Sequence, residues 1–314
     1  MSALAKIGKR MVRGVVNGLA RPLIQGLPLD RILTTETYIR LAYRLILGRR
    51  PDAEGFRHFQ THLSGQRIPK AAVFEALVTS PEYRKKEDPF NYARLQLIKR
   101  LPRADVIVDL GGSSKHASAG ALYAMGYCQQ WRRLIIVDLP PQERHAEWRK
   151  ADAEVPRVVT DYGPVEYLCG SMADPALFAA AEFADLVWSG NSIEHVTEQE
   201  ADQVLENVYN ILKPGGLFCL DTPNRRVTRL HYPDTYSHPD HKIEYTDELL
   251  SAKLQRHGFS IVEKFGVLDC RRVLAGEPLT PETLRHCPDF CPDPRDGYFL
   301  YYRCAKPPAP AILT

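Results

Sequence analysis

Two acidic residues stand where apolar, strand-like runs end, and both are candidates for nucleotide recognition. The run from Val106 ends in Asp109-Leu110 and is followed by Gly111 and Gly112. Glycines in such a turn allow the backbone to come close to a bound nucleotide. About 25 residues further on, the apolar run 134–138 ends in Asp138. Two successive strands that each end in an acid predict an α/β sheet that binds a nucleoside.

Histidines form a second group that could do chemistry. His195 follows the strand-like run 184–189, and a histidine titrates near neutral pH, so it is a candidate general base. The alternative for His195 is a structural role in closing the turn. A polar segment further on carries three histidines within eleven residues, beside tyrosines, and is expected to cover the site and recognise hydroxyl groups. Its members are His231, Tyr232, Tyr236, His238 and His241.

The first turn favours a nucleoside without a pyrophosphate. It lacks the G-x-G-x-x-G pattern of dinucleotide sites, since Ser113 follows the two glycines. Asp109 would also repel a pyrophosphate. A cofactor with a cationic end suits this acidic strand end better, and S-adenosylmethionine, with its ammonium and sulfonium groups, is such a molecule.

Alternating strands and helices must position these residues. Strand-like runs lie at 105–109, 134–138, 165–169, 184–189, 216–221, 259–265 and 297–304. Helical patterns lie at 91–101, 117–126, 174–182, 198–212 and 247–257. The alternation predicts an α/β fold with a seven-stranded, mostly parallel, doubly wound sheet. A proline-rich insertion at 270–296 precedes the last strand.

The residues before this pattern predict two further parts. Residues 1–30 are expected to form a basic amphipathic helix, since residues 1–29 contain five basic residues and no acid. Such a helix can lie on an anionic membrane surface, or it can dock on the rest of the protein. Residues 31–88 read as a small all-helical domain, and the charged stretch before Pro89 marks its boundary with the domain at 89–314.

Bulk composition excludes several classes of protein. A formal net charge of +3 over 314 residues gives no support for nucleic acid as the main partner. No run approaches the roughly 18 apolar residues of a membrane-spanning helix. Seven scattered cysteines favour a reducing compartment, so we expect a cytoplasmic protein, with peripheral membrane contact through residues 1–29 as an option.

The order of elements resembles that of the class I S-adenosylmethionine-dependent methyltransferases over about residues 90–305. The resemblance implies S-adenosylmethionine as cofactor, bound by the first turn, by the acid that holds the ribose hydroxyls, and by residues near the adenine. The cofactor residues it assigns are Asp109, Gly111, Gly112, Ser113, Asp138, Ser171, Met172 and Asn191. Further matching segments are Asp185–Ser189, Ile193–Val196, Leu212–Gly216, Thr222–Asn224, Glu244–Thr246 and His257–Phe259. Ser113 departs from the usual glycine.

The helical segment resembles a small bacterial domain of uncharacterised function that often occurs beside glycan-handling enzymes. The matching residues are Tyr43, Leu47-Gly48-Arg49, Pro51-Asp52, Gly55, Leu63, Gly65 and Ser80-Pro81-Glu82-Tyr83. A structural role for Arg49 and Asp52, in which they lock the corner between two helices, is the simpler interpretation.

Residues beyond the strand ends are expected to handle the methyl acceptor. Catalytic candidates are His195, His238 and His241, and acceptor-binding candidates are His231, Tyr232, Tyr236 and Asn224. No metal is expected. Two sets were weighed as weaker metal options, namely His238, Asp240, His241 and Glu244, and His286, Cys287 and Cys291, but neither has a zinc-site spacing.

The sequence therefore predicts O-methylation of a sugar hydroxyl in a bacterial surface polysaccharide or glycolipid. One alternative is methylation of a small lipid or quinone-like hydroxyl. Another is a non-catalytic scaffold module in a polysaccharide assembly complex. The expected partner is a glycan or small-molecule hydroxyl acceptor, and the sequence leaves the oligomeric state open.

Overall fold

The chain divides into two compact units between Asp88 and Pro89. The computed structural model describes residues 33–47, 49–64, 69–114, 117–144, 157–178 and 180–308. The basic amphipathic helix predicted for residues 1–30 lies outside the described residues. Within the described ranges, no helix combines the length and apolar character needed to cross a lipid bilayer.

The first unit is a small helical domain built around one apolar core. Its described residues contain the helices α1 (Thr35–Ile46), α2 (Ala53–Ser64), α3 (Ala71–Val78) and α4 (Pro81–Glu87). Helix α1 begins at Thr34, whose side chain accepts the backbone N–H of Thr37. The predicted apolar face of α1 is buried, and it packs with residues of α2 and α3. The core contains Tyr38, Ile39, Ala42, Tyr43, Ile46, Phe59, Leu63, Val73, Phe74 and Leu77.

The second unit is built on one sheet, to which the described residues contribute nine strands. The strands are β1 (Val106–Leu110), β2 (Arg133–Asp138), β3 (Arg157–Thr160), β4 (Gly163–Cys169), β5 (Ala184–Gly190), β6 (Leu212–Pro223), β7 (Ser260–Asp269), β8 (Phe290–Cys291) and β9 (Gly297–Ala305). Their order across the sheet is β3-β4-β2-β1-β5-β6-β9-β7-β8.

The predicted α/β class is confirmed, but the seven-stranded and mostly parallel sheet is wrong in detail. All seven predicted strands are present, and β3 and β8 add a short strand at each edge. Strands β4, β2, β1, β5 and β6 pair in parallel, whereas the pairings of β3, β7, β8 and β9 are antiparallel. The sheet is therefore mixed. The carboxyl ends of its five parallel strands meet at one edge, where ligands bind in sheets of this type.

Helices cover both faces of the sheet. They are α5 (Pro89–Ile98), α6 (Gly120–Ala124), α7 (Glu198–Ile211), α8 (Arg225–Thr228), α9 (Asp247–Arg256), α10 (Arg271–Leu274) and α11 (Pro281–Leu284). Residues of α5 and α6 belong to the core on one face, and residues of α7 and α9 to the core on the other. Helix α7 buries Val204, Leu205, Val208 and Ile211 at helical spacing, and burying each such side chain contributes about 1.5–3 kcal/mol.

Two predicted segments differ from the structure. The helix predicted at 174–182 is, among the described residues, a single 3-10 turn at Pro175–Leu177, capped by the Asp174 side chain on the Ala176 amide. The insertion predicted at 270–296 contains α10, α11 and β8, so it is an ordered part of this domain.

Candidate active site

The turn after β1 needs both of its glycines. Gly111 has a φ of +69°, and a Cβ atom there would lie 2.5 Å from the Ser192 Oγ. A Cβ atom on Gly112 would lie 2.3 Å from the Asp109 carboxylate. Only glycine therefore allows the chain to turn here and to fold back over the end of β1.

Asp109 lies buried beneath this turn. The Leu122 amide donates a hydrogen bond to it, but its Oδ2 atom is buried without a hydrogen-bond partner. Burial raises the pKa of Asp109 to about 8, because the charged form loses its hydration. A cationic group placed beside this carboxyl would favour its ionised form and supply the missing partner.

Asp138 lies at the end of β2, and its side chain is hydrogen-bonded to the turn that follows β1. Its Oδ2 atom accepts the backbone N–H of Ser113 at 3.0 Å, and its Oδ1 atom accepts that of Leu139 at 2.8 Å. Each carboxylate oxygen can accept a second hydrogen bond, so two ligand hydroxyls could bind here. The serine that replaces the usual glycine is accommodated, and its buried Oγ atom has no hydrogen-bond partner among the residues that the structure describes.

The other predicted cofactor residues follow β4 and β5 at the same edge. Asn191 has a φ of +51°, its amide donates to the Asp221 carbonyl at 2.9 Å, and its Oδ1 atom is buried without a partner. The Ser171 hydroxyl accepts the Ala173 amide at 3.2 Å. The Met172 carbonyl accepts a bond from an asparagine of α7 at 3.1 Å. The structure thus brings all the predicted cofactor residues to the carboxyl ends of the parallel strands.

Buried polar atoms without partners gather at this edge. They are Asp109 Oδ2, Ser113 Oγ, Ser189 Oγ, Asn191 Oδ1 and Glu194 Oε1. They belong to β1, to β5, which pairs with it, and to the turns that follow these two strands. Leaving such an atom unpaired costs roughly 1–3 kcal/mol, so their concentration in one place indicates a ligand-binding site. Acceptor and hydroxyl atoms of this kind fit the hydroxyls, adenine and ammonium of S-adenosylmethionine.

Arg94 of α5 is a site residue that the sequence did not identify. Its Nε atom donates to the Asp221 Oδ2 at 2.6 Å, at the end of β6. Asp109 and Glu194 also act on its charge. Arg94 therefore supplies the positive charge that offsets three buried acids. The helical pattern at 91–101 gave no signal that an arginine there would reach a residue 127 positions later.

Glu194 lies in the short turn after β5. Thr222 donates a hydrogen bond to its Oε2 atom at 2.9 Å, whereas its Oε1 atom has no partner. Burial, together with the charge of the nearby Asp221, raises the pKa of Glu194 to about 8. The Glu194 carbonyl accepts the Lys242 amide at 2.8 Å, so the backbone ties this turn to the histidine-rich segment.

The three histidines predicted as catalytic lie close together, where the Glu194 carbonyl bonds to the histidine-rich segment. The ring centroids of His195 and His241 are 4.9 Å apart, those of His238 and His241 are 5.4 Å apart, and those of His195 and His238 are 6.1 Å apart. Loss of hydration lowers the pKa of His195 to about 4, and the charges of His241 and His238 add to the effect. His195 is therefore neutral at neutral pH and can accept a proton or bind a metal ion.

A buried carboxylate fixes the orientation of His241. Its Nδ1 atom lies 2.8 Å from the Glu244 Oε1. Glu244 also accepts hydrogen bonds from the Ser237 amide at 2.7 Å and from the Thr228 hydroxyl. Burial alone would raise the pKa of Glu244, but hydrogen bonds from His241, Ser237 and Thr228 lower it to about 2. Glu244 is thus a permanent anion that directs the other nitrogen of His241 away from itself.

Three of the predicted acceptor-binding residues lie on the histidine-rich segment. His231 and Tyr232 are exposed, and Tyr236 is half-buried against the Arg225 guanidinium, which lies 5.3 Å from its ring centroid. Arg225 also donates to three backbone carbonyls of the segment 232–235. These side chains are available on a segment whose backbone is held in place.

Asn224 does not fit the acceptor-binding role predicted for it. The side chain is fully buried, and its Nδ2 atom donates to the carbonyls of Pro294, Arg295 and Gly297. Its Oδ1 atom accepts the Arg226 amide at 3.0 Å. Because its hydrogen-bonding groups are used within the protein, Asn224 fastens the end of β6 to the last loop and has a structural role.

Neither of the two weaker metal sets forms a group of potential ligand atoms among the described residues. The thiols of Cys287 and Cys291 donate to backbone carbonyls, and His286 accepts from Arg285. In the described part of the chain, one group of side chains is suited to a metal ion. Its members are Glu194, His195 and His241, whose potential ligand atoms all lie within 4.8 Å of one another.

Comparison with known proteins gives the class of the second unit. Residues 112–220 match the model of a methyltransferase domain family. A protein of Mycolicibacterium smegmatis described as a "Probable S-adenosylmethionine-dependent methyltransferase" is 32% identical over 116 residues. That match covers 37% of this chain and 43% of the relative's length. These similarities identify a methyltransferase domain within residues 112–220 and support the predicted S-adenosylmethionine cofactor.

Two solved structures are similar to parts of this chain, and a second family model matches the N-terminal region. A SAM-dependent methyltransferase of Thermotoga maritima, described as a possible histamine N-methyltransferase, has a TM-score of 0.49 at 19% identity and covers 71% of this chain and 92% of its own. The N-methyltransferase NodS of Bradyrhizobium japonicum, in complex with S-adenosylhomocysteine, has a TM-score of 0.44 at 14% identity and covers 73% and 94%. Residues 30–86 match the model of a domain of unknown function, DUF4214.

Proposed function

We propose that this protein uses S-adenosylmethionine to methylate a hydroxyl group of a sugar in a bacterial surface polysaccharide or glycolipid. One observation carries the proposal. Among the described residues, buried polar atoms without hydrogen-bond partners lie at the strand ends, and they extend to Glu194, which is next to a cluster of three histidines. The first feature suits the donor, and the second suits an acceptor that must lose a proton.

The donor would be held by residues of the adjacent strands β2, β1 and β5 and of the turns that follow them. Asp138 would accept hydrogen bonds from the two ribose hydroxyls, because each of its oxygens retains a lone pair. Asp109, buried with one free oxygen, would balance a positive charge of the methionine portion. Ser113 and Asn191 would use the side-chain oxygens that have no partner within the protein.

Methyl transfer requires alignment, exclusion of water and removal of one proton. When bound, S-adenosylmethionine supplies a methyl carbon whose bond to sulfur breaks, with both electrons going to sulfur, as the acceptor oxygen bonds to that carbon. The acceptor hydroxyl releases its proton, and a neutral ring of the histidine cluster is placed to receive it. His195, His238 and His241 are the candidates, and their cluster lies beyond the end of β5.

Several features support a sugar as the acceptor. The segment 231–241 presents two exposed aromatic residues, His231 and Tyr232, together with the half-buried Tyr236, and such side chains suit a ligand with many hydroxyls. The N-terminal domain resembles one that occurs beside glycan-handling enzymes. The basic segment 1–29 would bring the enzyme to an anionic membrane surface, where it could reach a glycolipid acceptor.

Transfer of radioactive methyl groups tests the proposal. The full chain would be incubated with S-[methyl-³H]adenosylmethionine and a panel of methyl glycosides, with hydroquinone as a non-sugar hydroxyl. We expect label to enter at least one glycoside, and His238→Gln to lower the rate by roughly 10²–10⁴-fold while the Kd for S-adenosylhomocysteine stays within about twofold. Transfer to hydroquinone alone, or to none of the acceptors, would overturn the sugar assignment.

A further inference from the structure

We propose that Glu194, His195 and His241 form a binding site for a divalent transition-metal ion. One ligand atom from each residue lies within 4.8 Å of the others, in a turn and a segment far apart in sequence. The free Oε1 atom of Glu194 is the independent indication of a ligand. It belongs to a fully buried side chain and has no hydrogen-bond partner.

Each of the three side chains is oriented by a second contact. Thr222 donates to one oxygen of Glu194 and leaves the other available. The ring of His195 bonds to the backbone of Asp240, which leaves its second nitrogen available. Glu244 engages the Nδ1 atom of His241 and leaves Nε2 available. Metal-binding histidines almost always have such an acceptor on the opposite nitrogen, because it fixes the ring and its tautomer.

The backbone holds the two ligand-bearing segments together without any ion. The Glu194 carbonyl accepts the amides of Lys242 at 2.8 Å and Ile243 at 3.3 Å, directly after His241. Neighbouring ligand atoms that share an ion at about 2.0–2.2 Å lie roughly 3.0–3.6 Å apart in octahedral or tetrahedral geometry. The three ligand atoms here all lie within 4.8 Å of one another, so side-chain rotations that bring them up to roughly 1–2 Å closer would complete the site.

The chemistry of the donors selects the kind of ion. Two imidazole nitrogens and one carboxylate oxygen suit Mn²⁺, Fe²⁺, Co²⁺ or Zn²⁺. Ca²⁺ prefers six to eight oxygen ligands and is poorly matched to this group. Three protein ligands also leave positions open for a substrate, as in catalytic metal sites.

The role of the ion, unlike its binding, rests on the proposed O-methylation. An acceptor hydroxyl on the ion would lose its proton more readily, since a bound cation lowers the pKa of an attached oxygen. With His195 and His241 used as ligands, His238 is the third ring of the cluster, and it would take the proton on Nδ1 once the hydrogen bond that this atom accepts from the Asp240 amide, 3.2 Å long, has opened. Its centroid lies 5.4 Å from that of His241.

Mn²⁺ is the best probe of the site. Zn²⁺ would also bind the exposed thiols of Cys128 and Cys169, whereas Mn²⁺ prefers oxygen and nitrogen ligands. The full chain, freed of metal with EDTA and dialysed, would be titrated with Mn²⁺ while the free ion is followed by electron paramagnetic resonance. We expect saturable binding of a single ion per chain, and no competition from an equal concentration of Ca²⁺.

Three ligand variants, one variant of the supporting Glu244 and one control test the site. Glu194→Gln keeps the shape of a buried side chain, and His195→Gln changes an exposed residue, so at least one of them is expected to fold. We expect these two and His241→Gln each to weaken Mn²⁺ binding by about 100-fold or more, and Glu244→Gln by about 10–100-fold. His286→Gln, an exposed histidine outside the cluster, should bind Mn²⁺ like the unaltered chain.

The outcomes separate this site from the methyltransferase activity. Absence of Mn²⁺ binding, or equal binding by the folded variants and the unaltered chain, overturns the metal site and leaves the proposed function in place. Binding that is lost in the variants supports the metal site even if no acceptor is ever methylated. Methyl transfer at an unchanged rate in EDTA would overturn the catalytic role of the ion.

Discussion

Two arginine–carboxylate pairs with the same 2.6 Å bond illustrate the difference between the two domains. In the helical domain, Arg49 binds both oxygens of Glu82 and also reaches Asp52, and the pair is exposed, at 39% and 46% for the two side chains. In the sheet domain, the side chains of Arg94 and Asp221 are only 17% and 0% exposed. The first pair is hydrated, and the second is buried among further acids.

The surroundings decide what each pair does. Around Arg49, the charges satisfy one another, and none of the described residues of the helical domain has a buried side-chain oxygen or nitrogen without a partner. Around Arg94, Asp109 and Glu194 each keep a buried oxygen without a partner. Paired and hydrated charges fasten a corner between helices, whereas buried polar atoms without partners point to a ligand.

Removing the buried arginine should have the largest effect. Arg94→Met leaves Asp221 as an uncompensated buried charge, and breaking such a pair costs about 3–5 kcal/mol. We expect the free energy of unfolding of the sheet domain to fall by that amount. Urea denaturation followed by tryptophan fluorescence measures it selectively, because Trp131, Trp148 and Trp188 all belong to this domain. A loss below about 1 kcal/mol would show that Asp221 needs no counter-ion.

Asp138→Asn should act on ligand binding. An amide cannot accept with both of its atoms, so the site loses charged hydrogen bonds worth about 1.5–3 kcal/mol each. We expect the Kd for S-adenosylhomocysteine to rise by about 10–100-fold. Asp174→Asn is the matched control, because Asp174 only caps a turn and asparagine caps equally well. Equal losses in both variants would remove the special role of Asp138.

Donor binding should weaken as the pH falls below 8. The pKa of Asp109 is raised to about 8, so the free protein protonates this carboxyl before a donor cation can pair with it. We expect the Kd for S-adenosylhomocysteine to rise about tenfold per pH unit between pH 8 and pH 6. In Asp109→Asn, which resembles the protonated form, the Kd should not change over this range.

The same shift predicts how Asp109 affects stability. Its folded pKa lies above the ordinary value of 3.8 for an aspartate, so the folded protein holds the proton more tightly than the unfolded chain does. Asp109 therefore destabilises the fold increasingly as the pH rises from about 4 to about 8. The difference in Tm between Asp109→Asn and the unaltered chain should grow over that window, and a constant difference would contradict the raised pKa.

The exposed pair should give the smallest effect. Arg49→Met removes a hydrated salt bridge, and such pairs contribute about 0–1 kcal/mol. We expect a small decrease in helical stability by circular dichroism and an unchanged Kd for S-adenosylhomocysteine. A loss comparable with that of Arg94→Met would mean that exposure does not separate the two pairs.

Local pattern was enough to predict the strands that are buried on both faces. Strands β1, β2 and β5 are continuous apolar runs, and all three were predicted. Strand β3 was missed because its residues are exposed or half-buried, with Val159 left in solvent at an edge of the sheet. Strand β8 was missed because its two residues form a strand only by pairing with β7, far away in the sequence.

The candidate site was predicted in parts, and the fold assembled the parts. Acids at strand ends and the glycine turn identified Asp109 and Asp138, because such features are local. The sequence also indicated His195 and the segment containing His241, but only the backbone bonds of Glu194 bring them together. Arg94 and the free oxygen of Glu194 could not be predicted, since both depend on which distant groups meet in the interior.

Calorimetric titration of the full chain with S-adenosylhomocysteine tests the central claim, that the polar atoms without partners at the strand ends form the donor site. We expect saturable binding of one molecule per chain with a Kd between about 1 μM and 1 mM, weakened in Asp138→Asn and unchanged in Asp174→Asn. Absence of saturable binding up to about 5 mM, or binding of equal strength in Asp138→Asn, would contradict the account.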